Sequence, residues 1–97
     1  MFRISYTDSA LEDISTFRKS EQATIFYRVD EQLINQPALI TRNQKRMRPN
    51  ETAEWELRIG DFRVLYDIDF DDEKVEIKVV GQKQGARLFV RGKEFPL

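Results

Sequence analysis

Apolar and polar side chains alternate with a period of two through Trp55-Glu56-Leu57-Arg58-Ile59 and again through Phe62-Arg63-Val64-Leu65-Tyr66-Asp67-Ile68. This is the signature of two half-buried β-strands. Gly60-Asp61 between them supplies a turn, because glycine reaches the positive φ that a tight hairpin needs. The period carries across the turn, so Trp55, Leu57, Ile59, Phe62, Val64, Tyr66 and Ile68 share one buried face, while Arg58 and Arg63 sit together on the other. Earlier, Phe2-Arg3-Ile4-Ser5-Tyr6 reads as a first strand. Leu11, Ile14 and Phe17 recur at helical spacing over residues 8–19, with Thr7 or Ser9 as N-cap and Glu12 at capping-box distance from Ser9. Ile25, Phe26, Val29 and Leu33 predict a second amphipathic helix that Pro37 ends.

Residues 44–48 predict an edge strand whose lysine and arginines deter edge-to-edge pairing. Asp71-Asp72-Glu73 predicts a turn. Val75, Ile77 and Val79 predict a further strand, Gly81 to Gly85 a polar loop, Leu88 to Val90 a short final strand, and Gly92 to Leu97 a tail. The order predicts one α+β domain over residues 1–97: an N-terminal strand, an antiparallel helical hairpin, then a largely antiparallel sheet of three to four strands.

Composition narrows the chemistry. Of 97 residues, 40% are hydrophobic and 34% charged, as in a soluble globular protein. No apolar run is long enough to span a bilayer, and the N-terminus has no signal-peptide pattern, so a cytoplasmic protein with no membrane partner is expected. Without cysteine or histidine, neither a disulfide framework nor imidazole catalysis is open to it, and no metal or other cofactor is expected. The net charge of −1 hides a segregation: residues 32–49 sum to +4, residues 83–97 to +3 and residues 67–82 to −4. Basic patches of this kind suit a polyanion.

Three segments resemble the RelE/ParE toxin superfamily in order and spacing: Arg46-Met47-Arg48, the run from Trp55 to Tyr66, and Ile77 to Gly81. That resemblance implies a RelE-like microbial RNase fold and a toxin of a type II toxin–antitoxin pair, held inactive by a cognate antitoxin. A RelE-like member is a ribosome-dependent, metal-independent mRNA endonuclease (an mRNA interferase) that inhibits translation, with ribosome and mRNA as partners. A ParE-like member inhibits DNA gyrase without catalysis, and a decayed relative still binds its antitoxin without being toxic.

By the same resemblance Arg48, Arg58, Arg63 and Lys83 match basic active-site positions. Arg63 is assigned to the scissile phosphate, Arg48 and Arg58 to charge stabilisation, and Lys83 to proton transfer or phosphate binding. Glu56 stands where RelE carries a basic residue able to act as general base, a role a carboxylate can take. Lys45, Arg46, Arg87 and Arg91 complete the RNA-binding set. The chain departs from RelE at Phe89, where a catalytic tyrosine is expected, at Gln82, where many relatives have histidine, and at Arg87–Leu97, which replaces a C-terminal helix.

Overall fold

The computed structural model describes all 97 residues. In chain order the elements are β1 (Arg3–Tyr6), α1 (Asp8–Ser15), α2 (Lys19–Leu33), β2 (Gln44–Arg46), β3 (Trp55–Ile59), β4 (Phe62–Asp69), β5 (Lys74–Gln84), β6 (Arg87–Val90) and β7 (Lys93–Glu94). They form one seven-stranded sheet in the order β2-β3-β4-β5-β6-β7, with β1 added parallel to β5. The α+β class is as expected from the sequence. Six strands follow the helices rather than three to four, because β2 and β7 are edge pieces of three and two residues, too short to show a period.

Thr7 caps α1, its hydroxyl accepting from Ala10 N at 3.0 Å, so Ser9 lies inside the helix rather than at its cap. With that start, Ala10, Asp13 and Ile14 face the sheet and Leu11 is left 44% exposed, against the expectation from spacing. After three intervening residues α2 begins and returns the chain: Phe17 packs edge-on against Phe62 at 4.9 Å, Phe26 against Tyr6 at 5.3 Å, and Phe2 N donates to Ile34 O at 2.7 Å. The helix ends at Leu33, four residues before Pro37.

The core lies between the helices and one sheet face. Ile25, Val29 and Leu33 of α2 meet Leu57, Val64, Tyr66, Val75, Ile77 and Val80, all fully buried. Each such side chain contributes roughly 1.5–3 kcal/mol of burial. Tyr66 is the largest of them, and its hydroxyl donates to Pro37 O at 2.7 Å, which anchors the connection after α2 and satisfies the buried polar atom. A smaller cluster of Ala53, Leu65, Val79 and Leu88 covers the opposite face, with Met47, Val90 and Phe95 packed against it.

Val79 therefore does not share a face with Val75 and Ile77. The β4–β5 register runs Tyr66↔Ile77 and then Leu65↔Val79, so Lys78 is an extra residue at a bulge. A bulge shifts the side-chain parity by one, which puts Val79 on the outer face and Val80 on the inner. The stretch Gly81–Gln84, expected as a loop, continues β5 because β6 supplies its partner: Gln82↔Phe89, Lys83↔Leu88 and Gln84↔Arg87. Only Gly85-Ala86 turns. The expected tail likewise folds back, with Lys93 and Glu94 paired to Val90 and Phe89.

One edge of β5 carries β4 along its length, and the other is shared by β1 at residues 74–77 and β6 at residues 82–84. Between them, side chains stand in for a strand. Thr7 Oγ1 donates to Lys78 O at 3.4 Å, and Asp13 Oδ2 accepts from Val80 N at 3.1 Å. Asp13 is 1% exposed, and Arg91 Nε lies 2.9 Å from its other oxygen. Burial pushes the Asp13 carboxyl above the usual carboxylate range, although the Val80 N–H and Arg91 pull the other way.

Candidate functional site: a basic groove on the outer sheet face

The hairpin turn of β3 and β4 organises the outer face. Ile59 and Phe62 close a two-residue loop, with Gly60 at φ +57°. Arg58 and Arg63 are then direct cross-strand partners, and Gly81 lies opposite Arg63 on β5. Asp61 O accepts from Lys83 N at 2.8 Å, while the Arg63 guanidinium donates through Nη1 to Gly60 O at 2.8 Å and to Phe62 O at 2.9 Å. One turn thus holds both Arg63 and Lys83. Arg63 Nε is buried without a hydrogen-bond partner. Desolvation lowers the Arg63 pKa, the nearby Arg58 charge lowers it further, and Glu56 and Asp61 oppose both.

Glu56, 7% exposed, lies beside this pair. Its Oε1 accepts from Arg58 Nε at 3.2 Å and stands 3.8 Å from Lys45 Nζ on the neighbouring β2. One carboxylate therefore offsets two cations. A groove of about 490 Å³ opens next to it, lined by Arg48, Glu56, Arg63, Lys83, Arg87 and Phe95. Within it Lys83 Nζ donates to Ala86 O at 3.3 Å, and Arg87 lies 3.6 Å from Glu94. Leucine 88 and Phe95 form an apolar floor continuous with the outer cluster.

Of the nine residues singled out from the sequence, five meet in this groove: Arg48, Glu56, Arg63, Lys83 and Arg87. Lys45 and Arg58 join them through Glu56. The Arg46 guanidinium is engaged elsewhere, 3.0 Å from Glu54 and 6.0 Å above the Trp55 ring. Arg91 lies apart as well, its charge taken up by Glu12 at 2.8 Å and Asp13 at 2.9 Å. Sequence reasoning missed Phe95, whose docking depends on β7, and Asp13, which carries no local signal of its distant partner Val80.

Phe89 alternates with Leu88 and Val90, which pack into the outer cluster, so its ring points to the opposite face from the groove. No tyrosine lines the groove. Tyr66 and Tyr6 lie in the helix-side core, where burial raises both phenols above their ordinary value, and Tyr27 is exposed on α2. Arginine-rich and concave, the groove can hold an extended anion; Glu56, Lys83 and the Arg87-paired Glu94 are its groups able to exchange a proton. No three ligating side chains cluster in a way that would hold a metal ion.

Fold and groove together define a small α+β toxin of the RelE/ParE superfamily. Residues 4–85 match the family model of the ParE toxin of type II toxin–antitoxin systems (parDE), and the chain belongs to that family. Among solved structures, the RelBE2 toxin–antitoxin complex from Mycobacterium tuberculosis is similar at 23% identity and a TM-score of 0.73, covering 84% of this chain and 98% of that one. The intact RelBE complex of E. coli is similar at 14% identity and a TM-score of 0.68, covering 88% of this chain and 100% of the other. A YoeB dimer from Staphylococcus aureus is similar at 18% identity and a TM-score of 0.63, covering 87% and 98%. At these identities the likeness is one of fold. Comparison with curated protein sequences gives no match.

Proposed function

We propose that this toxin acts on messenger RNA in the ribosome, binding the phosphodiester backbone in the basic groove and cutting it without a metal. The observation that carries the reading is the convergence of Arg48, Arg63, Lys83 and Arg87 around Glu56 on one rigid face. In the proposed chemistry Glu56 accepts the proton of a ribose 2′-hydroxyl, whose oxygen attacks the adjacent phosphorus in line. Arg63, Arg58 and Arg48 stabilise the charge that builds on the phosphorane. The bond to the 5′-oxygen breaks as Lys83 gives that oxygen a proton, leaving a 2′,3′-cyclic phosphate.

A second reading, ParE-like inhibition of DNA gyrase without catalysis, is favoured by the orientation of Phe89 and by the absence of any tyrosine from the groove. In either case the partner that silences the toxin is a small antitoxin carrying acidic and apolar residues complementary to this face. Two of the similar structures are toxin–antitoxin complexes, which supports that assignment.

Induced expression in a bacterium lacking the antitoxin, with primer extension on a translated message, tests the proposal. In-frame cuts that vanish in Arg63→Ala support the nuclease. Growth arrest with intact messages and relaxed plasmids supports the gyrase reading instead. Normal growth, intact messages and unchanged supercoiling leave a decayed toxin that only binds its partner.

A further inference from the structure

A second surface, of opposite charge, lies at the far end of the β4–β5 hairpin. Phe70 is 61% exposed in the turn Asp69-Phe70-Asp71-Asp72-Glu73. The turn is held rigid: Asp72 N donates to Asp69 Oδ1 at 3.0 Å, Glu73 takes φ +48°, and its carbonyl accepts from Arg3 N at 2.8 Å. Phe70 rests edge-on against Phe2, with ring centroids 6.1 Å apart. Beside the two rings opens a cleft of about 280 Å³ whose other wall is the segment Asn35–Leu39. Leu39 is 47% exposed at its rim and Ile40 is 70% exposed next in sequence. Asp69, Asp71 and Asp72 are exposed and enter no ion pair within the chain, whereas Glu73 has only the terminal amine, 3.6 Å away.

We propose that this cleft is a docking site for a cationic amphipathic protein segment: an apolar side chain fills the cleft between Phe70 and Leu39, and flanking lysines or arginines pair with Asp71 and Asp72. Contiguous exposed apolar side chains rimmed by charge mark interaction surfaces. The acidic rim selects the sign of the partner and disfavours an acidic one. The hydrogen-bonded turn presents Phe70 already in place, so little ordering cost opposes docking. The partner's chemistry is the reverse of what the arginine groove takes, so this surface is independent of the groove's function.

Amide shifts of the full-length ¹⁵N-labelled chain, titrated with a leucine–lysine amphipathic peptide and with its leucine–glutamate counterpart, test the proposal. The lysine peptide is expected to move the amides of Phe2, Asn35, Gln36, Ala38, Leu39 and Phe70 while those of β3 stay in place, which also reports that the fold is kept. Phe70→Ser should weaken this binding about tenfold or more, as for a central aromatic anchor. Asp71→Asn with Asp72→Asn should weaken it and flatten its salt dependence. Equal shifts of these cleft amides with the glutamate peptide, lysine-peptide binding indifferent to Phe70→Ser, or lysine-peptide shifts centred elsewhere would each overturn the proposal. So would shifts at these amides that follow protein concentration without peptide, since a second copy would then be the occupant.

Discussion

Arg58 and Arg63 face each other directly across the β3–β4 hairpin, two like charges at a register position where repulsion is ordinarily destabilising. The strands tolerate the pair because Glu56 takes up Arg58 and because the Arg63 guanidinium turns back onto Gly60 O and Phe62 O. Removing Arg63 should therefore separate stability from binding. Arg63→Ala is expected to change unfolding free energy by less than about 1 kcal/mol, while RNA affinity falls and the slope of its logarithm against log salt loses about one unit. Thermal melts and salt-titrated filter binding read the two effects independently.

Glu56→Gln keeps the shape of the groove and removes the charge that offsets Lys45 and Arg58. Polyanion binding should tighten. Under the proposed chemistry cleavage should nevertheless slow by about 10²–10⁴, the range of a positioned general base. Tighter binding with undiminished cutting would assign Glu56 a purely electrostatic role.

Phe89→Tyr supplies the hydroxyl that the resemblance to RelE leads one to expect. Its ring points to the helix side of the sheet, away from Arg63 and Lys83. The substitution should leave cleavage, measured by primer extension on a translated message, unchanged, and a marked gain would show that β6 can rotate.

Gly81→Ala should destabilise the protein by about 1–3 kcal/mol in chemical denaturation, the range for forced overpacking. An added Cβ would stand 2.6 Å from Phe89 O, a backbone atom that cannot move without separating β6 from β5. Because Lys83 and Leu88 pair just beyond, the groove should loosen with it.

Asp13→Ala leaves the Val80 N–H buried and unpaired, at a cost of about 1–3 kcal/mol. The pH dependence runs opposite to that of an exposed, ion-paired carboxylate. The folded-state pKa of Asp13 is raised above 3.8, so the native chain binds more protons than the unfolded chain in the window above that value. This residue's contribution is fully present below pH 3.8 and is lost as pH rises through the folded pKa. Denaturant midpoints across that window should show the loss in the wild type, and Asp13→Asn should lack this component.

Much of the molecule was legible because its signals are local. The alternation from Trp55 to Ile68 states a hairpin, and its parity correctly puts Arg58 and Arg63 on the outer face. Alternation misleads at Val79, where the bulge at Lys78 shifts the phase, and bulges leave no mark in composition. Gly81–Gln84 reads as a loop because glycine and polar residues ordinarily do. It is a strand because β6 approaches so closely that only glycine fits against Phe89 O. Arg91 looks like one more cation of a basic segment, yet the nearness of Asp13 and Glu12 on α1 spends its charge in the scaffold.

By itself the sequence determined the α+β class, the central hairpin, the family and the residue types able to bind a polyanion, since each follows from periodicity or from motifs a few residues long. Only the tertiary structure decided that Arg48, Glu56, Arg63, Lys83 and Arg87 share one groove, with Arg46 and Arg91 outside it. Strand parity chooses a face, but neighbours on that face are chosen by register, by the bulge and by which strand takes each part of the β5 edge. Those are contacts between residues far apart in the chain, and no local pattern encodes them.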